Sequence, residues 1–237
     1  MTDYKHKINA EGEYLPFYGY TSVSMLSSKT SSVLQNIEQL ISQTIIGKYY
    51  SPLPHTTYHM TLFNIYCMAS SPIPPVQRWT LENKENKIPE KLWLPEDVLK
   101  IKHIKALDCL RKLPSHLKIT NLEFYYKKGL GVWVTLDEES VNAVTNLRKE
   151  FSKIYEHDDA NLKLHITFAY LFKELPFKNG TREDKKALKT ELLKLVEMLN
   201  TLKLCTLTNH NIYLYNSMTN YFPIDFFFSS SFSSSFQ

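Results

Sequence analysis

Residues 56–66 read TTYHMTLFNIY, and residues 162–172 read LKLHITFAYLF. Each stretch carries a His and a Thr two positions apart, His59-Met60-Thr61 and His165-Ile166-Thr167, among apolar and aromatic neighbours. Both read as β-strands. In a strand, residues i and i+2 leave the same face, and the residues between them leave the other. His59 and Thr61 therefore project together, as do His165 and Thr167. Tyr58, Met60 and Leu62, and likewise Leu164, Ile166 and Phe168, form opposite faces suited to packing under helices.

A bare His-x-Thr match is a weak signal, because short motifs recur by chance. A third match, His55-Thr56-Thr57, follows Pro52 and Pro54 and precedes the apolar run, so it falls ahead of the strand and is set aside. The bland alternative for the other two is a pair of hydrogen-bonded histidines in ordinary sheet positions. What favours chemistry is context: the same apolar-His-apolar-Thr-apolar pattern occurs at equivalent places in two similar halves.

Outward from the motifs, the halves repeat one order. Residues 17–26 alternate as a strand, and Val33, Leu34, Ile37, Leu40, Ile41 and Ile45 then recur at helical spacing. After the strand at 56–66, residues 69–95 form a proline- and charge-rich insertion containing Trp79 and Trp93, expected to be an ordered surface loop. A helix is predicted from Pro95 to about Leu113, and a strand over 117–126. The second half gives a strand at 130–136, a helix that opens on acidic residues at Asp137, the strand at 162–172, a helix over 181–203 and a strand ending in NIYLY within 204–215. Self-similarity on this scale predicts an α+β, duplicated two-lobed fold in which two antiparallel sheets face a central cleft with helices outside. The expected organisation is an N-terminal arm at 1–15, a single two-lobed domain at 16–224, and a low-complexity Phe/Ser tail at 225–237. Within the domain, lobe 1 is expected at about 16–128 with the insertion, and lobe 2 at about 129–224.

Composition narrows the setting. The chain has 237 residues and a formal net charge of +4, a balance that permits an anionic ligand but does not support a wide nucleic-acid track. Cys67, Cys109 and Cys205 are scattered and show no CxxC spacing, which argues against a disulfide framework or a zinc site. The polar N-terminus does not read as a signal peptide, and no stretch is apolar enough to span a bilayer. A cytoplasmic monomer without a membrane partner is the expectation.

Two His-Thr strands facing each other place two imidazoles and two hydroxyls around one point. One neutral His can take a proton from an attacking hydroxyl or water, and the other, protonated, can give one to the leaving oxygen. The Thr hydroxyls can donate to non-bridging phosphate oxygens as charge builds. Neither a metal nor a cofactor is required by this set. Tyr20 with Ser22 and Ser24, and Trp133 with Thr135, are expected on the cleft faces. Tyr20 and Trp133 are candidate platforms for a base, and Phe63 is expected to line the cleft or close its floor. Lys127 and Lys128 read as a solvated turn.

These motifs resemble the 2H phosphoesterase superfamily of LigT-like, cyclic phosphodiesterase fold. Leu53-Pro54 through Tyr58-His59-Met60-Thr61-Leu62-Phe63 is similar to a branch with a Pro-x-Ser-Tyr-His-Met-Thr pattern. His165-Ile166-Thr167-Phe168-Ala169-Tyr170-Leu171 is similar to that branch's His-Ile-Thr-Leu-Ala-Tyr-Leu run. The resemblance extends from about Gly12 to Phe222; Tyr20-Thr21 departs from an Asn-Thr pair, and the tail has no counterpart. It implies His59 and His165 as an acid/base pair and Thr61 and Thr167 as phosphate ligands. It further implies a nucleotide or RNA-end substrate carrying a 2′,3′-cyclic phosphate or a 2′–5′ linkage. Two alternatives stay open: a module that binds a nucleotide or RNA end without cleaving it, and a hydrolase of a cyclic dinucleotide or an ADP-ribose-type cyclic phosphate.

Overall fold

The computed structural model describes residues 7–67, 69, 74–75, 77–78, 96–159, 163–202 and 205–224. Most of the 69–95 insertion and the whole Phe/Ser tail lie outside them. In chain order the strands are β1 (Gly19–Leu26), β2 (Tyr50–Pro52), β3 (His59–Cys67), β4 (Leu117–Tyr125), β5 (Gly129–Leu136), β6 (His165–Leu171), β7 (Thr206–Ser217) and β8 (Asn220–Pro223). The α-helices are α1 (Ser31–Gln43), α2 (Glu96–Leu110), α3 (Glu138–Tyr155) and α4 (Arg182–Asn200). Strands β2 and β8 were not anticipated. Each is short, and β2 ends on Pro52, a residue confined to sheet margins because it donates no ladder hydrogen bond.

Local chemistry accounts for the helices. The apolar stripe of α1 buries Leu34, Ile37 and Ile41. The Asp137 carboxylate accepts from the Ser140 amide at the start of α3, with Glu138 and Glu139 beside the positive end of the helix dipole. Thr181 caps α4 in the same way, accepting from the Asp184 amide. The buried stripe of α4 is Leu188, Leu192, Leu195 and Leu199. Among the described residues, no helix is long and apolar enough to cross a membrane.

All sheet pairings are antiparallel. One group of strands runs β3-β1-β7-β8, and the other runs β6-β5-β4 with β2 beside β6. The two expected sheets are thus present, and they are joined edge to edge at two thin seams: β3 meets β6 at Met60–Ile166, and β4 meets β7 at Leu117–Leu207 and Lys118–Thr206. The sheet consequently closes on itself.

The division into lobes does not follow chain order. The predicted boundary near residue 128 assumed that each half pairs within itself. Instead β4, from the first half, pairs with β5, and β7, from the second, pairs with β1. The helices exchange too: α1 packs on β2, β6 and α4, whereas α3 packs on β3 and α2. Neighbours in sequence are usually neighbours in space, and that expectation misplaces the last strand of each half here.

Under α2 lies a polar residue that the apolar pattern does not reveal. His103 is 2% exposed, with Nδ1 2.8 Å from the Tyr155 hydroxyl and its ring 5.0 Å from that of Tyr20. Burial pushes its pKa down to about 3. The unfolded imidazole titrates near 6.5, so the unfolded state takes up the proton first. Stability from this group is therefore fully present above about pH 6.5 and declines as pH falls toward 3. His103→Asn, which keeps a hydrogen-bonding atom near the Nδ1 position but does not titrate, is expected to show a shallower fall in Tm between pH 6.5 and 4 than the wild type. An unchanged slope would contradict this assignment.

Candidate active site

The thinner seam positions the two motifs. Met60 and Ile166 pair directly across β3 and β6, and their side chains are buried beneath the sheet. In an antiparallel register centred on this pair, His59 lies across from Thr167 and Thr61 lies across from His165. The pair thus sits on a local pseudo-twofold axis. The two histidines occupy diagonal positions, for which Cα atoms are about 7–8 Å apart, enough to admit a phosphate group. His59, Thr61, His165 and Thr167 all line one cleft of about 340 Å³, a volume within the usual range of small-molecule sites.

The imidazoles are held alike. His59 Nδ1 donates to the Thr57 carbonyl at 2.7 Å, and His165 Nδ1 donates to the Lys163 carbonyl at 2.9 Å. Each ring is bonded to the carbonyl two residues earlier, which fixes the neutral tautomer and leaves Nε2 as the proton-accepting atom. Each ring also meets an aromatic neighbour edge-on: Tyr221 lies 4.9 Å from His59 at 64°, and Trp133 lies 5.5 Å from His165 at 66°. Burial pushes the His59 pKa down to about 4, against the pull of the Thr57 carbonyl and aided by the charges of His165 and Lys7. His165 is lowered too, mainly by burial and further by Lys7, with the Lys163 carbonyl opposing. At neutral pH both are unprotonated in the unliganded protein.

Beside this symmetric set stand residues that break the symmetry. The Tyr125 hydroxyl lies 3.1 Å from Thr167 Oγ1. It can reach there because Gly131, paired with Thr167, carries no side chain. A Cβ at Gly131 would collide with the Tyr125 ring and the Ile166 carbonyl. Asn64 and Asp159 form part of the cleft wall, the Asn64 amide donating to the Asp159 carboxylate at 2.7 Å. Lys7, from the N-terminal arm, also enters the cleft. None of these was singled out in the sequence. For Lys7 no signal existed, since a lysine in a polar arm reads as solvated. For Gly131, a glycine inside a strand pattern is itself a hint of close approach.

Of the three residues expected to line the cleft, Trp133 lies in a groove that adjoins it, and Tyr20 and Phe63 lie elsewhere. Trp133 is paired with His165 on β5 and is 37% exposed. With Tyr125, 4.8 Å away ring to ring, it lines a groove that continues from His165 and Thr167 toward Lys127 and Lys128. Tyr20 is a correction. It is buried on the helix side against His103, and Thr21 lines the cleft in its place. Ser22 and Ser24 are likewise buried, with Ser24 Oγ 2.6 Å from His210 Nδ1. The expectation that polar residues of β1 face the cleft was wrong by one residue, and a one-residue slip turns a whole strand face. Phe63 is the second correction. Between Ser22–Phe63 and Val23–Thr61 the pairing skips Leu62. This bulge turns Phe63 away, to pack fully buried on Phe151 and Tyr155 of α3. The discarded third motif lies apart: His55 begins a single helical turn, and its Nδ1 bonds Glu38 of α1 at 2.7 Å.

A family model described as 2H-phosphodiest, a domain of unknown function (DUF1868), matches residues 7–72. Uncharacterized protein 127L of Invertebrate iridescent virus 6 is 95% identical over 233 residues, covering 98% of this chain and 99% of its own length. Among solved structures, the conserved protein of unknown function ATU0111 from Agrobacterium tumefaciens aligns over 92% of this chain and 88% of its own at 18% identity, with a TM-score of 0.64. That likeness shows the shared fold. E. coli LigT complexed with phosphate aligns over 88% of this chain and 95% of its own at 10% identity, with a TM-score of 0.44. The chain belongs, with protein 127L, to the 2H phosphoesterase superfamily.

Proposed function

We propose that this protein is a metal-independent phosphodiesterase that hydrolyses a nucleotide phosphodiester, either a 2′,3′-cyclic phosphate or a 2′–5′ linkage, by acid–base catalysis between His59 and His165. The observation that carries the reading is the matched presentation of two imidazoles to one cleft, each fixed by the same Nδ1–H bond to the carbonyl two residues earlier.

His59 takes the role of base and His165 that of acid, because His59 is pushed down to about 4 and so stays unprotonated when one proton is shared between the two. It removes a proton from water as the water oxygen bonds to phosphorus. The bond from phosphorus to the leaving ribose oxygen breaks, and His165, protonated, delivers a proton to that oxygen. One water is consumed, and the two histidines exchange protonation states, which solvent resets. Binding of the anionic phosphate favours the protonated imidazole, which offsets the desolvation that keeps His165 neutral in the empty cleft. Thr61 and Thr167 donate to the non-bridging oxygens, where negative charge grows in the transition state. Trp133, half-exposed beside His165 and packed against Tyr125, offers a ring face on which the base of the substrate stacks.

In EDTA, the wild type is expected to turn over 2′,3′-cyclic nucleotides or 2′–5′-linked dinucleotides. His59→Ala and His165→Ala should each lower kcat by about 10²–10⁴-fold. Full activity in both variants would sink the assignment. The acid limb of kcat/KM, which reports the base in the free enzyme, should lie well below pH 6.5, because activity falls only when the depressed imidazole gains its proton. Trp133→Ala should raise KM by about 5- to 100-fold with little change in kcat, the signature of a lost stacking surface. An unchanged KM would remove Trp133 from the substrate site.

A further inference from the structure

Among the described residues, the cleft contains a cation without a counter-ion. Lys7 Nζ lies 5.0 Å from the centre of the Phe17 ring and 5.1 Å from that of Tyr170. It donates to the Tyr170 hydroxyl at 3.3 Å. Among the described residues this is its one hydrogen bond, and it makes no ion pair. An ammonium has three donors, so two are left for another acceptor. Asp159 is the carboxylate that lines the same cleft, but it accepts from the Asn64 amide and lies near the Arg148 guanidinium. The ammonium is thus held by ring faces and a phenol, which steady a positive charge without neutralising it.

The placement is built. The arm folds back as a small hairpin in which Ile8 bridges Tyr14 and the Leu15 amide donates to the Lys7 carbonyl at 3.0 Å. The Asn9 side chain accepts from the Glu11 and Glu13 amides, and Gly12 takes the left-handed φ of 88° that closes the turn. Ile8 is buried, and the Tyr14 hydroxyl donates to the Ser51 carbonyl on β2 at 2.7 Å. The hairpin is therefore clamped to the β2–β6 edge and directs Lys7 inward. Its charge reaches both imidazoles, lowering His59 and His165 alike. The other groups facing them are Tyr221 on His59, Trp133 on His165, and His157 and Asp159 on the cleft wall.

We infer that Lys7 is a phosphate-binding residue whose ammonium joins Thr61 and Thr167 in holding the non-bridging oxygens of an anion bound between His59 and His165. This rests on the proposed phosphodiesterase reading for its substrate, but not for its ligand class: inorganic phosphate alone should occupy the site. The arm, which lies outside both His-Thr motifs, becomes part of the binding machinery.

The test compares the wild type with Lys7→Met, which keeps the stem packed on Phe17 and Tyr170, and with Lys7→Arg, which restores the charge. Three quantities are read: the Kd of inorganic phosphate, the pKa values of His59 and His165 by imidazole NMR in the unliganded protein, and kcat and KM on a cyclic nucleotide. Lys7→Met should weaken phosphate binding tenfold or more and raise both histidine pKa values, while Lys7→Arg recovers most of the phosphate affinity. A purely structural role would not move both histidine titrations in step. Wild-type phosphate affinity together with unmoved histidine titrations in a folded Lys7→Met protein would overturn the inference. The binding and titration readouts decide it even if the wild type cleaves no phosphodiester, an outcome that would count against the proposed reaction alone.

Discussion

The site depends on one backbone pairing, Met60 with Ile166. It is the one ladder pair between β3 and β6, and it relates the registers of the two motifs. Because side chains alternate with a period of two, slipping either strand by one residue would turn its His and Thr into the core and expose Met60 or Ile166. The fully buried Met60, Leu62, Ile166 and Phe168 oppose such a slip. Hydrophobic burial on one face of each strand thus fixes the polar chemistry on the other. The seam is thin, and the four motif residues that flank its single ladder pair all line the cleft.

Around that pair the two imidazoles are held alike, while the residues beside them differ. The Nδ1–H bonds and edge-on aromatic neighbours of His59 and His165 repeat across the axis. Lys7, the Tyr125–Thr167 contact and the Trp133 groove do not. A duplicated frame with unequal surroundings gives the two imidazoles different exposure, and so different readiness to hold a proton. In the proposed reaction this inequality divides the labour of base and acid between them.

How much of this was legible in the sequence follows from how regular each strand is. β6 carries a bulge too, where its pairing with β5 skips Phe168, but it falls after the motif, so His165 and Thr167 point as expected. β3 alternates only as far as Thr61; the bulge that follows sends Phe63 to α3, and nothing in TTYHMTLFNIY marks the extra residue. β1 carries serines on its buried face and Val23 and Met25 facing the groove beside His59, so polarity pointed the wrong way and placed Tyr20 in the cleft. The exchange of β4 and β7 between sheets is a property of long-range pairing that local periodicity does not encode. The placement of Lys7 was invisible because it comes from a local hairpin and from the ring of Tyr170, distant in sequence, together with that of Phe17.

The most direct test of a single site is to titrate a nucleoside 2′-monophosphate into the protein while following the imidazole nitrogens of His59 and His165 by NMR. Both Nε2 resonances should move with one dissociation constant, and both pKa values should rise on binding, since one anion lies between two rings. Separate dissociation constants, or a response from one histidine alone, would contradict the joining of the two motifs into one phosphate-binding centre.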